Sequence, residues 1–322
     1  MKTAQAVYDH LRARPNPAGF PKHAVLPDYG GYSIDRVPSL VSAALGIPQP
    51  DSPLLDLVSP PRADRVLLVI LDGAGYHRWN ELARQDADVR ALSSAGLLLP
   101  MTTVCPSTTV AALTTYSTGL APSQHGMLGY RLYLREISAI ANMIQLTVVG
   151  GRGEAPLPPS LNLDSLLVPR TMYEELEADD VDTYALLPRG IADSGLSRVL
   201  YRGATHIHPA VGLSDMLALS REILNRATRK TVVTLYWPGL DSIAHPRGPL
   251  SSSYAAEAAS VAAALRRELV GQVEHALLIV SSDHGFVPMR PGDYVPTSTV
   301  PALRDALFLF PSGEPRASYL FL

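Results

Sequence analysis

The sequence predicts an α/β protein, a three-layer αβα sandwich around a mostly parallel sheet with an inserted cap region. Two observations carry that prediction. Short unbroken apolar runs at Val66–Leu71, Val232–Tyr236 and Ala276–Val280 have the texture of strands buried on both faces, as parallel strands are. Between them lie stretches with helical spacing of apolar residues, Trp79–Ala95, Val110–Thr118, Met216–Thr228 and Tyr254–Leu269. Strands alternating with helices of that length place helices on both faces of one sheet.

In chain order, residues 1–62 read as an N-terminal leader packing on the outside of a core that begins later. It opens with a helix over Ala4–Arg14 and continues through turn-rich sequence to a helix near Leu40–Leu45. A connector studded with Pro48, Pro50, Pro53, Pro60 and Pro61 closes it. A single domain is expected over 63–322. Within it, residues 130–203 form a less regular cap or insertion, with Gly150, Gly151, Arg152, Gly153, Pro156, Pro158 and Pro159 in a long loop. No internal repeat is visible.

Composition narrows the functional classes. The 322 residues are 47% hydrophobic and 18% charged, enough apolar surface to exclude a disordered chain. The net charge is −3, so no basic surface recruits nucleic acid or anionic lipid. The one cysteine, Cys105, excludes an intramolecular disulfide framework and a Cys-rich zinc module, and it reads as a small buried residue. No apolar run approaches the 18 residues of a membrane helix, and the N-terminus has no signal-peptide stretch. The expectation is a cytoplasmic protein with no membrane or nucleic-acid partner.

In open α/β sheets ligands bind beyond the carboxyl ends of the strands. Each of the three apolar runs leads into an aspartate there: Asp72 before Gly73, Asp241 with His245 four residues on, and Asp283 followed by His284 and Gly285. Singly, such an aspartate reads as a helix cap or turn residue. Together they suggest more. Asp241 and His245 stand one helical turn apart on one face, and Asp283 and His284 are adjacent at a turn. Carboxylate and imidazole suit zinc, and carboxylate-rich sets also suit manganese. Five such ligands are too many for one tetrahedral ion and too few for two closed ones, so a dinuclear site with open positions is expected. A fourth segment, CPSTTVAALTTYSTGLAPSQHG, sets the hydroxyls of Ser107, Thr108 and Thr109 before the helix Val110–Thr118. A helix N-terminus favours an alkoxide or a phosphoryl oxygen, and a hydroxyl on a divalent cation becomes a nucleophile at neutral pH. An ordinary N-cap is the competing reading.

These four blocks, Asp72–Gly73 after a strand, PSTTVAALTTYSTGLAPSQHG, LDSIAH and SSDHGF, occur in an order that resembles the alkaline phosphatase superfamily. The branch most similar is the nucleotide pyrophosphatase/phosphodiesterase type with its bacterial relatives. The resemblance covers about Arg65 to Phe286. It implies an alkaline-phosphatase-like fold and two divalent ions, zinc or else manganese. It assigns Asp72, Asp283, His284 and the nucleophile to one ion, Asp241 and His245 to the other, and the nucleophile to Thr109. The implied activity is hydrolysis of a phosphodiester, pyrophosphate or related phosphoryl bond through a phosphothreonine, with a small phosphate ester or nucleotide as substrate.

The pattern also departs from the family. No histidine follows His284 to complete the second ion, and the family's C-terminal part has no counterpart before Leu322. His206 and His208 are the in-chain candidates for that ligand, with a surface strand as the competing reading. Two family asparagines fall on Ala112 and Tyr130, and Asn142 is the nearest residue to serve in place of the second, unless it is a buried strand-edge amide. His125 reads as structural, and Tyr236 and Trp237 as core residues on the approach to Asp241. A phosphate- or nucleotide-binding relative without catalysis is the alternative function. A metal-dependent phosphomutase or phosphonate hydrolase ranks third.

Overall fold

A computed structural model of the chain describes residues 2–150, 153–290 and 292–322. Helices α1 (Lys2–Ala13), α2 (Val37–Ala44) and α3 (Pro53–Val58) precede strand β1 (Arg65–Leu71). Helices α4 (Tyr76–Gln85), α5 (Ala87–Ser94), α6 (Thr109–Thr118) and α7 (Pro122–His125) follow it. Next come the short strands β2 (Arg131–Leu134), β3 (Ala139–Asn142), β4 (Thr147–Gly150) and β5 (Gly153–Pro156). The order continues with α8 (Met172–Ala178), β6 (Asp182–Pro188), α9 (Arg189–Ala192), α10 (Gly195–Leu200), β7 (His206–Ala210) and α11 (Leu213–Arg226). It ends with β8 (Thr231–Trp237), α12 (Gly239–Arg247), α13 (Ser252–Glu268), β9 (Ala276–Ser281), α14 (Pro301–Ala306), β10 (Leu309–Glu314) and β11 (Ala317–Phe321).

The main sheet runs β7-β6-β8-β1-β9 with every pair parallel. Alternate side chains of β1 enter different layers. Val66, Leu68 and Ile70 pack with Val41 of α2 and Ala111 of α6, whereas Leu67, Val69 and Leu71 pack with Trp79 of α4 and Ala258 of α13. That double burial is the three-layer αβα sandwich, and it explains why β1 and β8 are apolar without alternation. A second sheet, β11-β10-β2-β3-β4-β5, is antiparallel throughout. Among the described residues no helix is long and apolar enough to cross a membrane.

Several expectations change. The run Trp79–Ala95 is two helices, because the Asp86 carboxylate accepts from the amides of Asp88 and Val89 and starts α5. The proline connector contains α3, with Pro53 in its first turn and Ser52 capping it. The leader is not merely external: Ile34, Val37, Val41 and Ala44 are buried in the same cluster as β1. The segment 130–203 divides, since its first part builds the second sheet while β6 lies inside the main one. The long loop is instead the β4–β5 hairpin, of which Gly151 and Arg152 lie outside the described residues. Cys105 is exposed; its amide donates to the Tyr29 hydroxyl at 3.0 Å in the loop entering α6. Strand β9 is the sheet edge and only partly buried. Its outer side faces a groove of about 600 Å³ walled by Leu40, Trp79, Leu92 and Leu269, reaching Ser282 and His284.

His125 closes the turn after α6. Its Nδ1 accepts from the Met127 amide at 3.1 Å, so Nε2 carries the proton toward Thr115 Oγ1, also at 3.1 Å. Burial lowers its pKa from 6.5 to about 4. A histidine kept neutral in the fold takes up a proton on unfolding, so its stabilisation is whole above pH 6.5 and is lost as the pH falls toward 4. The stability difference between wild type and His125→Ala should therefore shrink by about 1–2 kcal/mol between pH 7.5 and pH 5, as read by urea unfolding.

Candidate active site

The register of the main sheet brings the strand ends level. Ile70 pairs with Tyr236 on one side and Ser281 on the other. Asp72, Asp241 and Asp283 therefore leave neighbouring strands at one edge of the sheet. The loops that carry them are tied together by backbone amides: the Asp241 amide donates to the Asp72 carbonyl at 3.1 Å, and the Gly73 amide to the Asp283 side chain at Oδ1, 3.0 Å away. Gly73 has φ +77°, and a Cβ there would stand 2.7 Å from the Phe286 ring. Gly75 and Gly285 let the loops after β1 and β9 touch backbone to backbone, since a Cβ on Gly75 would lie 2.6 Å from Gly285 Cα. Only glycine permits either approach.

At the centre is His284 Nε2. It lies 3.3 Å from Thr109 Oγ1, 3.5 Å from Asp72 Oδ1 and 3.6 Å from Asp283 Oδ2. Those two carboxylate oxygens are buried and have no hydrogen-bond partner. Their sister oxygens are occupied: the Tyr236 hydroxyl donates to Asp72 Oδ2, and the amides of Gly73 and His284 donate to Asp283 Oδ1. One free oxygen from each carboxylate, a ring nitrogen and a hydroxyl thus converge. Ligand atoms about 2.0 Å from a tetrahedral zinc would sit roughly 3.3 Å apart, so the spacing and the donor chemistry fit a divalent cation. Asp72, Asp241 and His284 also offer ligand atoms within 4.8 Å of one another, the one such group of three among the described residues.

Asp241 in the first turn of α12 and His245 in its last form a further pair, with His245 Nε2 3.4 Å from Asp241 Oδ1 and the imidazole largely exposed. His245 meets the Phe286 ring edge-on, and His284 approaches the same ring. His206 and His208 do not join them. They sit on β7, two strands from β8 and so roughly 10 Å to the side, and His206 is level with Leu67 near the middle of β1. Asn142 is likewise outside the group around His284. It ends β3, 1% exposed, donating to the Tyr130 hydroxyl at 2.9 Å and accepting from the amides of Ile144 and Gln145. Those contacts anchor the turn into β4.

The sequence reading missed three participants. Tyr236 holds Asp72; its penultimate position in β8, beside the strand that leads into Asp72, is the available signal. The Tyr254 hydroxyl donates to the Gly73 carbonyl at 2.8 Å, and Thr108 Oγ1 donates to Glu314 Oε1 at 2.7 Å. No local pattern marks either of these.

The electrostatics are strained without a cation. Burial, reinforced by Asp283 and Asp241, pushes the Asp72 carboxyl well above its ordinary range. Burial also raises Asp283 to about 6 and lifts Asp241, which His245 and His284 partly oppose.

The chain belongs to the type I phosphodiesterase/nucleotide pyrophosphatase family, whose model matches residues 66–316. Its fold is alkaline-phosphatase-like. Phosphonoacetate hydrolase from Sinorhizobium meliloti, solved with phosphonoformate, superposes with a TM-score of 0.53 at 17% identity, covering 73% of this chain and 60% of that one. Murine ectonucleotide pyrophosphatase/phosphodiesterase 5, solved as an inactive variant with AMP, gives 0.53 at 17% identity over 72% of this chain and 62% of that one. The chain thus spans about three fifths of the length of these solved proteins. No curated protein matches it.

A raised carboxyl in the folded state means that protonation favours folding: the stabilisation is whole below pH 3.8 and lost as the pH rises through 6. In EDTA-treated protein at pH 7.5, Asp283→Asn should therefore be more stable than wild type, by on the order of 1–3 kcal/mol, and the gap should narrow to about a third of that by pH 4.5. Added zinc should reverse the order at pH 7.5, because the cation neutralises the charge that the substitution removes. Urea midpoints across that range check both expectations.

Proposed function

We propose that the chain is a metal-dependent hydrolase of phosphodiester, pyrophosphate or related phosphoryl bonds, acting through a covalent phosphothreonine on Thr109. The observation that carries the reading is the convergence of Thr109 Oγ1 and two unpartnered, buried carboxylate oxygens on His284 Nε2. Family membership supports the reaction class, and the AMP and phosphonate complexes of the two structural neighbours support a small phosphorus-containing substrate.

Asp72, Asp283, His284 and Thr109 would hold one cation, and Asp241 with His245 a second; zinc is the first candidate and manganese the next. Bound there, divalent ions supply Lewis-acid stabilisation of phosphoryl charge and lower the pKa of hydroxyl and water. The chain's own residues do the rest. Thr109 opens α6, so its Oγ1 stands at the positive end of the helix and attacks phosphorus in line with the departing group. Tyr236 and the amides of Gly73 and His284 keep the carboxylates turned so that their free oxygens face the reaction. Water then cleaves the phosphothreonine and restores the hydroxyl.

Thr109→Ala should lower kcat by about 10³-fold or more while leaving metal content unchanged. Near-normal turnover would move the nucleophile to Thr108 or to water. A second reading, a phosphate- or nucleotide-binding relative without catalysis, is favoured by one observation: among the described residues, Asp241 and His245 have no third protein ligand beside them other than residues assigned to the first ion. Elemental analysis after buffer exchange separates the two. Two ions per chain, falling to about one in Asp241→Ala, supports the hydrolase, with water or a further residue completing the second site. One ion or none supports the binding protein.

A further inference from the structure

We propose that Glu314 is a positioning residue for the threonine nucleophile: it draws the Thr108 hydroxyl away from the N-terminus of α6, leaving that terminus open to the substrate's phosphoryl oxygens, and it sets a fixed negative charge beside them. The inference rests on the hydrolase reading above.

Thr108 is the N-cap of α6, with extended backbone at φ −140° and ψ 149°. A threonine there ordinarily accepts a hydrogen bond from an amide of the first turn. This one makes no such bond; it donates to Glu314 Oε1 at 2.7 Å. The same oxygen accepts from the Tyr130 amide, so the carboxylate is clamped from two sides. Glu314 is itself placed by backbone contact. It ends β10, whose Gly313 pairs with Arg131 and packs so closely on Gly129 that a Cβ there would lie 3.0 Å from Gly313 Cα. The Tyr319 hydroxyl on β11 adds a bond to the Leu128 carbonyl at 3.1 Å.

The consequence is chemical. The first-turn amides of a helix point outward and favour anionic oxygen, and in α6 they begin at the residue that carries the nucleophile. A Thr108 hydroxyl capping them would occupy the place where a phosphoryl oxygen must come. With Glu314 holding that hydroxyl aside, the amides stay free. The carboxylate charge, bonded to the residue next to Thr109, raises the cost of each further negative charge on the substrate. A doubly charged monoester is penalised more than a singly charged diester.

The test uses the zinc-loaded full chain with bis(p-nitrophenyl) phosphate and p-nitrophenyl phosphate. Glu314→Ala releases Thr108 to cap, so kcat for the diester should fall about 10- to 100-fold with KM and metal content little changed. Adding Thr108→Val removes the capping hydroxyl and should recover about 3-fold or more of that loss, which a merely structural role of Glu314 would not allow. Glu314→Gln keeps an accepting Oε1 without the charge. It should stay within about 3-fold of wild type on the diester while the monoester-to-diester ratio of kcat/KM rises on the order of tenfold. A Glu314→Ala variant within about twofold of wild type, no recovery on adding Thr108→Val, or an unchanged ratio in Glu314→Gln each overturns the proposal. If Glu314→Ala does not fold, the ratio in Glu314→Gln decides. Wild type that turns over neither ester overturns the hydrolase reading and this proposal with it, whereas an active wild type indifferent to Glu314 overturns this proposal alone.

Discussion

Three aspartates forced into one small volume are the constraint around which the structure is organised. Asp72, Asp241 and Asp283 arrive on adjacent parallel strands whose register leaves them no room to diverge. Two of them are almost fully buried, where unpaired charges repel far more strongly than in water. The raised carboxyl pKa values express that repulsion. A site of this kind resolves its strain by binding a cation or by taking up protons. The orientation of the side chains favours the cation, because backbone amides and the Tyr236 hydroxyl take one oxygen of each buried carboxylate and leave the other facing a shared point.

Much of the surrounding structure serves to hold that arrangement. Tyr254 reaches from α13 to the Gly73 carbonyl, and Tyr116 reaches from α6 to Ser281 Oγ at 2.6 Å and the Ser282 carbonyl at 2.9 Å. Thr103 donates to the Asp283 carbonyl. These buried hydroxyls pin the layers on both faces to the strand ends. Burial raises the pKa values of Tyr116, Tyr236 and Tyr254, so they act as neutral donors beside the carboxylates. The position of Thr109 follows from the same ties, since α6 is fixed to β9 by Tyr116 two turns along the helix.

What the sequence made legible was whatever a local pattern encodes. β1 and β8 are buried on both faces and their apolar runs say so; the aspartates follow directly, and histidines at short spacing mark the ligand types. β9 shows the limit of that logic. Its run is just as apolar, yet it is a sheet edge beside a groove, because an apolar run reports what side chains can bury and not whether a neighbour pairs the strand's outer side. β6 was hidden for a related reason: Asp182, Thr183 and Tyr184 dilute its apolar stretch, and only its place between β7 and β8 identifies it as central. Asn142 bonds to Tyr130, Ile144 and Gln145 at the turn into β4, partners that no local spacing around it announces. Glu314 and Thr108 stand 206 positions apart, and no spacing rule joins them.

The two sheets contribute to the site in different ways. Every carboxylate and imidazole in the cation group follows a strand of the main parallel sheet, where register tolerates little change: a side chain at Gly73 or Gly75 would collide with the neighbouring loop. The antiparallel sheet carries none of those ligands; it touches the nucleophile segment through the β10 carboxylate of Glu314, which the Tyr130 amide before β2 also holds. Short hairpin strands constrain sequence less than a doubly buried parallel strand, because one face is free to vary. Under the proposed reaction, substrate preference can therefore change through the second sheet while cation binding stays with the first. The Thr108–Glu314 bond joins the second sheet to the nucleophile segment, one residue from the threonine that would be phosphorylated.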